Sequence, residues 1–464
     1  MESIQAVEDP ALLLPQAQDL PTLLPVRRTI GQLRFKLRAL GLLQLWVLFG
    51  CAGRILGSRL LAHLVPHGGT ETHRVREIRW IGAALGRLKG PFAKLAQYGA
   101  LRVDLLPDDA REALLSLRDR VPPLPAGWVR WVVETELGGR LETHFAHFDP
   151  QPLGAASIAQ VHRATLPDGG QVAVKVQYPW LEGSLGADLR LLRWLARGTG
   201  RAGGRTDGVF DEFARGLYEE LDFCREARVA QEIATNLADD AQIVVPRVVP
   251  SLSSRRVLTM ELYPTLPLTD GTTLTARGIS AAEVLEIVAR AYTRQVFVDG
   301  VFHADPHPGN LFVIDEPDAD RHPRVLFVDF GLSKHLGRTL QDELRKGILA
   351  LLQGDLEAFL GGMQRMDMIA PGAEEPVRRA VRGIFERLRG RGQNPLGLGA
   401  ASVLGLKDEA KQLLYETPGL TLPSDLLHYA RTVSYLFQLG RELAPEVDLM
   451  KLTTPYLLRF LSER

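Results

Sequence analysis

The chain is short of several things, and each shortage excludes something. Two cysteines, Cys51 and Cys224, in 464 residues cannot build a disulfide framework. A reducing, intracellular setting is therefore expected. There is no charge excess either: 55 Lys and Arg balance 55 Asp and Glu. No global basic field offers itself to nucleic acid, which is not expected as a partner. Long hydrophobic runs are missing too. The most apolar stretch, Ala39–Gly53, falls below the ~20 residues that a helix needs to cross a bilayer. The N-terminus opens acidic (Glu2, Glu8, Asp9) with no basic segment leading into an apolar core, so no secretory signal is expected. No apolar anchor is expected at the C-terminal end.

What is present is concentrated near the middle. His303–Asn310 reads HADPHPGN, and Asp329-Phe330-Gly331 follows an apolar strand (VLFVD) nineteen residues after Asn310. An aspartate, an asparagine five residues on, and then D-F-G is the spacing with which protein kinases hold Mg·ATP. The chemistry explains the residue types. Mg²⁺ takes hard oxygen ligands, commonly one or two carboxylates plus phosphate oxygens. Asn310 and Asp329 supply such oxygens, and Asp305 is placed to accept a proton from a hydroxyl or water. The alternatives are a plain turn, which Asp305 among histidines and prolines would suit, and a two-histidine zinc site at His303 and His307. Pro306 and Pro308 deny that pair the helix that the i,i+4 zinc geometry uses.

Upstream, Gln171–Gln177 (QVAVKVQ) alternates as a strand and carries Lys175, the strand lysine of V-A-x-K. Pro167–Gly170 reads as the hairpin turn before it. The run Val209–Leu237 reads as one long charged helix. It offers Glu220, Asp222 and Glu226 as partners for Lys175, though they cannot all share one face. Gly198–Gly203 matches G-x-G-x-x-G but follows a helix, so it reads as a linker. After Gly331 the chain runs almost directly into a helix, with no nearby A-P-E to close an activation segment. That argues against phosphorylation of ordinary protein substrates. Strands first and helices later describe a two-lobed α+β fold, with ATP expected in the cleft between the lobes.

These motifs together resemble the UbiB/AarF family of atypical protein-kinase-like proteins. The resemblance runs from about Ile78 to the C-terminus. GAASIAQVH (Gly154–His162) is similar to the family's alanine-rich loop, KLAQ (Lys94–Gln97) to its K-x-G-Q signature, and EELDFCREA (Glu219–Ala227) to its E-x-D helix; FHADPHPGN and VDFG are close to the family form, and the tail Leu422–Leu461 is similar to its C-terminal helices. Two positions depart: Ala96 stands where the signature has Gly, and Gly154 where the first loop alanine usually lies. The first is compatible with a helix; the second would loosen the loop.

The resemblance implies a bilobal protein-kinase-like fold with an N-terminal helical extension. Residues 1–75 would be an N-terminal segment, 76–125 the K-x-G-Q-type extension, 126–264 the N-lobe and 265–464 the helical C-lobe. It implies ATP and Mg²⁺ as cofactors. Gly154, Ala155, Ala156, Ser157, Lys175 and Glu261 would line the nucleotide, Glu226 would pair with Lys175, and Asp305 would be the catalytic-loop aspartate. Asn310 and Asp329 would hold the metal. Lys94 and Gln97 would reach Glu220 and Asp222 as a regulatory lid. The function implied is an ATPase or small-molecule or lipid kinase that supports isoprenoid quinone biosynthesis or lipid homeostasis. Two alternatives stand beside it: a phosphotransferase of the aminoglycoside or choline kinase type, and a nucleotide-gated lipid-binding scaffold without turnover. Arg27, Arg28, Arg34, Lys36 and Arg38 precede the apolar Ala39–Gly53 segment, and Arg54 and Arg59 follow it. Such a segment either lies at a membrane surface, at the inner face, or packs on the protein's own core.

Overall fold

The computed structural model describes residues 88–101, 123–198, 205–316, 322–390 and 419–462, with scattered single positions besides. The expected helix at 110–120, the linker at 199–203 and nearly all of the N-terminal segment lie outside the described residues. In chain order the elements begin with helix α1 (Gly90–Leu101), α2 (Ala126–Leu137) and the short α3 (Leu141–His144). Strands β1 (His147–Ala155), β2 (Ala159–Thr165) and β3 (Gln171–Gln177) follow, then α4 (Leu181–Gly198), α5 (Arg205–Glu220) and α6 (Phe223–Asn236). Next come β4 (Ile243–Val244), β5 (Val257–Glu261), β6 (Thr265–Pro267), α7 (Gly271–Ala276) and α8 (Ala281–Arg294). A π-helical turn, Gln295–Asp299, leads to β7 (Val301–Phe302), β8 (Leu311–Ile314), β9 (Val325–Phe327) and β10 (Lys334–His335). Helices α9 (Arg338–Gln353), α10 (Leu356–Arg365), α11 (Glu374–Gly390), α12 (Ser424–Leu443) and α13 (Leu449–Ser462) close the chain.

These elements form two compact units, Met1–Ala227 with Arg247–Leu262, and Arg228–Pro246 with Tyr263–Arg464. The first is built on an antiparallel sheet ordered β1-β2-β3-β5. In β3 the valines at 172, 174 and 176 are buried and the alternate residues less so, the period-2 pattern of a strand with one face on a core. The hairpin turn before β3 is as its residues dictate. Gly169 sits at φ 92°, which glycine adopts without strain, and the Asp168 carboxylate accepts the Gly170 N–H at 2.9 Å. Val129, Val132 and Val133 of α2 pack on the valines of β3.

A second core in this unit joins α1, α4 and α5 through Phe92, Leu181, Leu185, Phe213 and Leu217. Val47, one of the few described positions in the apolar N-terminal segment, packs against that same core. At this position the segment meets its own protein.

The expected continuous helix over 209–237 is instead two helices, α5 and α6, broken at Leu221–Asp222. The reason is in the apolar spacing. Leu221 and Phe223 both belong to the core, yet residues two apart point to opposite sides of a helix. Asp222 makes the restart: its Oδ1 accepts the N–H groups of Cys224 and Arg225 at 3.1 and 3.3 Å. That satisfies donors which a helix start leaves orphaned.

The second unit centres on α8. Ser280 caps it by accepting the Glu283 N–H, the S-x-x-E start. Val284, Leu285, Val288, Ala291 and Tyr292 then line one core with Val313, Val325 and Phe327. A second sheet is ordered β4-β9-β8-β6, with β4 parallel to β9 and the other pairs antiparallel, and β7 pairs with β10.

At the end of the π-helical turn lies Asp299, 9% exposed, with Oδ2 buried and partnerless among the described residues. Burial, offset in part by Arg294, lifts its carboxyl to about 6 from the ordinary 3.8. A raised folded value means that the neutral acid is favoured in the fold. The contribution is therefore complete below the ordinary carboxylate range and is lost as pH rises to about 6. Stability should fall across that window by ~1 kcal/mol, after allowance for solvent screening. Asp299→Asn should flatten the slope in urea melts taken from pH 4 to pH 7; an unchanged slope would remove Asp299 as its source.

Candidate active site

Two half-sites emerge, one in each unit. In the first, β3 holds Lys175 at a register position opposite Val161 of β2 and Leu258 of β5, and α6 supplies Glu226 from its first turn. The Lys175 ammonium donates to both Glu226 oxygens at 2.7 and 3.0 Å. Glu226 is 1% exposed, and the Lys175 ammonium also lies 5.1 Å from the Phe223 ring centroid. The helix break explains the choice among the three acids. It leaves Glu226 in the first turn of α6, where the helix dipole favours a carboxylate. Asp222 caps α6 through Oδ1, and Glu220 at the end of α5 takes the Lys94 ammonium. The implied reach of Lys94 to Glu220 is thus present. Asp222 Oδ1 turns to the backbone N–H groups of Cys224 and Arg225. Gln97 is half-buried one turn beyond Lys94 on α1, and Tyr98 next to it donates to Glu212 at 2.7 Å.

The small-residue segment is a stiff turn. Gly154 and Ala155 are the last residues of β1, paired with Val161 and Gln160, so Gly154 is part of a ladder and does not loosen a loop. A Cβ at Gly154 would meet no atom within 4 Å. The carbonyls beyond it are engaged: Ala156 accepts from the Tyr178 hydroxyl at 2.6 Å, Ser157 from the Gly90 N–H at 2.8 Å, and Ile158 from the Tyr178 N–H at 3.0 Å. The start of α1 is therefore bonded directly to this turn. Lys89, just before α1, has φ 56° and stacks its ammonium 4.5 Å from the Tyr178 ring centroid. Burial pushes that ammonium down to about 8. Sequence reasoning missed both Lys89 and Tyr178. Glu261 ends β5 and pairs with Arg247 at 2.9 Å, at the point where the chain leaves this unit.

In the second unit the motif residues are fixed by the β8–β9 pair. Leu311 faces Phe327, and the Val328 N–H donates to the Asn310 carbonyl at 3.0 Å. Asn310 and Asp329 thus flank the same end of the pair. Asn310 Nδ2 donates to the Asp305 carbonyl and to its Oδ2 at 3.2 and 3.0 Å, which commits the amide donors and leaves the amide oxygen as the atom that could ligate a cation. Asp305 is 3% exposed. Its Oδ1 takes the Arg431 Nη2 of α12 at 2.5 Å.

Asp329 stands exposed at φ 64°, ψ 71°, a left-handed conformation that costs a non-glycine residue on the order of 1 kcal/mol. The histidines have structural work. His303 bonds the Val328 carbonyl at 2.9 Å and the Tyr292 hydroxyl at 3.1 Å, and it meets the Phe330 ring edge-on at 5.1 Å. His307 accepts the Gly309 N–H. Beyond Asp329 come one 3₁₀ turn, Phe330–Leu332, then β10 and α9, as the short spacing in the sequence implies. In this half-site Arg431 is the residue that the motifs do not announce. Its signals are its place in the tail that resembles the family's C-terminal helices and its being the sole arginine, lysine or carboxylate in the otherwise uncharged run Leu426–Gly440.

A family profile described as the ABC1 atypical kinase-like domain matches residues 116–361, more than half of the chain. The chain belongs to the ABC1 atypical kinase-like family. Its fold is accordingly kinase-like, and the UbiB/AarF resemblance read from the motifs stands. Among similar proteins of this family, a probable protein kinase UbiB of Xylella fastidiosa is 32% identical over 412 residues, covering 88% of this chain and 74% of the relative. Protein ACTIVITY OF BC1 COMPLEX KINASE 8, chloroplastic, of Arabidopsis thaliana is 31% identical, covering 86% of this chain and 56% of the relative. The ABC1 chain thus spans from about half to three quarters of the length of these relatives. A solved structure, Rv3197 of Mycobacterium tuberculosis in complex with erythromycin, matches at TM-score 0.50 and 26% identity over 82% of this chain and 95% of that one. Among the described residues no helix is long and apolar enough to cross a membrane, and no group of three His, Cys, Asp or Glu residues could hold a metal ion by itself.

Proposed function

We propose that this ABC1 chain binds Mg·ATP and transfers its terminal phosphoryl group to water or to a small or lipid-borne hydroxyl, in support of isoprenoid quinone or lipid metabolism. The observation that carries this reading is the buried Lys175–Glu226 pair, with both carboxylate oxygens on one ammonium at 2.7 and 3.0 Å. A charge pair held this deep in a strand-and-helix frame is costly to bury, and a polyphosphate is the ligand that such a lysine serves in kinase-like folds. The donor set suits the cofactor. The Asn310 amide oxygen and the Asp329 carboxylate are hard ligands too few to complete a shell, as Mg²⁺ shared with phosphate oxygens requires. When bound, Mg·ATP supplies the electrophilic phosphorus and the charge neutralisation.

The chain's own residues do the rest. Glu226 aims the Lys175 ammonium, and Asn310 fixes the Asp305 carboxylate through its amide donors. Asp305 retains lone pairs for the acceptor's O–H, since each carboxylate oxygen accepts more than one bond. The short segment between Asp329 and α9 favours a small acceptor over a folded protein substrate. Isoprenoid metabolism enters only from the UbiB/AarF resemblance; what the names of the UbiB relatives say is kinase.

The test is a thermal-shift titration with Mg·ATP. The wild-type chain should be stabilised, and Asp329→Asn should lose the magnesium-dependent part of the shift. Asparagine tolerates the left-handed backbone at that position, so the variant should fold. An equal, magnesium-dependent shift in both proteins would sink the assignment of Asp329.

A further inference from the structure

Arg431 is buried at the centre of the second unit's half-site, with its side chain 11% exposed. One nitrogen, Nη2, meets Asp305. The other two, Nε and Nη1, are buried and have no hydrogen-bond acceptor among the described residues. Buried polar groups are nearly always satisfied, and an orphaned donor on a charged group is a standing loss. A guanidinium offers five N–H bonds in a planar fork shaped for carboxylate or phosphate oxygens. Here the fork is held by the Tyr435 ring, 5.3 Å away one turn along α12. Its current partner accepts through a single oxygen, because Asp305 Oδ2 is given to Asn310. The arrangement is a half-used anion receptor set against the aspartate that faces the acceptor.

We infer that Arg431 is an oxyanion-binding residue of the active site, taking a phosphate oxyanion in exchange for its bond to Asp305. This rests on the phosphotransferase reading above, which supplies a phosphoryl group at this place. Nε and Nη1 are closed to solvent as the side chain now lies, so the oxyanion enters as the guanidinium shifts off Asp305. The exchange couples two events. While Arg431 holds Asp305, the carboxylate is neutralised and its Oδ1 is engaged. When the oxyanion takes Arg431, that oxygen is freed for the acceptor hydroxyl. The oxyanion is either phosphate itself, as product, or a phosphomonoester group carried by the acceptor. Two ligands separate these sources.

The experiment measures binding by calorimetry and thermal shift without nucleotide, so that it does not depend on turnover. One arm uses inorganic phosphate and the other glycerol 3-phosphate, each against chloride at equal ionic strength. Phosphate binding with a weaker ester assigns the product. A tighter ester assigns a phosphorylated acceptor. Either supports the inference, provided that Arg431→Lys weakens binding roughly tenfold or more, since lysine keeps the charge and the pairing with Asp305 but loses the fork. Asp305→Asn should bind the oxyanion more tightly than wild type, because the competing carboxylate is gone, and Asp305→Asn with Arg431→Lys should lose that gain. A purely structural ion pair would show neither effect. The inference is overturned if neither ligand binds above the chloride control, or if Arg431→Lys binds as well as wild type. Failure of the wild-type chain to bind Mg·ATP in the titration described above would instead count against the phosphotransferase reading.

Discussion

Lys175→Met should destabilise the protein by about 3–5 kcal/mol, the range for breaking a buried ion pair by removing one partner. The cause is Glu226. At 1% exposure it has little water to replace the ammonium that now serves both of its oxygens. Glu226→Gln should be milder, because it removes the charge while keeping a group that can hydrogen-bond. The double variant Lys175→Met, Glu226→Leu should recover most of the loss, since a hydrophobic pair of similar volume avoids the desolvation of two charges. Urea denaturation at constant m-value reads these differences as shifts in midpoint. All three variants should lose the thermal response to Mg·ATP. The double variant thereby separates the pair's role in the fold from its role in binding. A drop below 1 kcal/mol for the single variant would mean that Glu226 finds other compensation, and the pair's structural weight would be wrong.

Asp305→Asn should lower phosphoryl turnover by roughly 10²–10⁴, the usual contribution of a positioned general base, while the Mg·ATP thermal shift persists. On the proposed function binding would survive, because the variant leaves Lys175 and the proposed metal ligands unchanged. Turnover would not, because asparagine can accept a hydrogen bond from the acceptor but cannot take its proton. Phosphate release from ATP and transfer to an added alcohol give the two readouts. A loss under tenfold would reduce Asp305 to orienting the acceptor. That outcome is chemically coherent, since the transferred group in such reactions is loosely bound to both oxygens and proton removal need not lead.

The half-sites were legible to different depths. Lys175, Asp305, Asn310 and Asp329 could be found because their chemistry forces fixed spacings: a lysine on an alternating strand, an aspartate five residues before an asparagine, and a D-F-G ending the next strand. The hairpin at Pro167–Gly170 could be found because positive φ selects glycine. The break at Leu221–Asp222 was missed, although two core side chains two residues apart contradict a single helix. Charged composition hid that slip in phase. The capping role of Asp222 is hidden in the same way, since a short carboxylate at a helix start is read there only once the break is known. Gly154 was taken for a loop residue because small residues suggest loops, whereas ladder pairing with Val161 places it in a strand. Arg431 lies 126 residues from Asp305, and no local pattern links residues at that separation.

The left-handed Asp329 has an implication for how such a chain could drift. Glycine would adopt φ 64° without strain, so exchanging Asp329 for glycine would relax the backbone while deleting the proposed metal ligand. Aspartate to glycine needs one nucleotide change, and pressure for robustness alone would push in that direction. On the proposed function, one substitution would thus exchange the metal ligand for an unstrained backbone at this position.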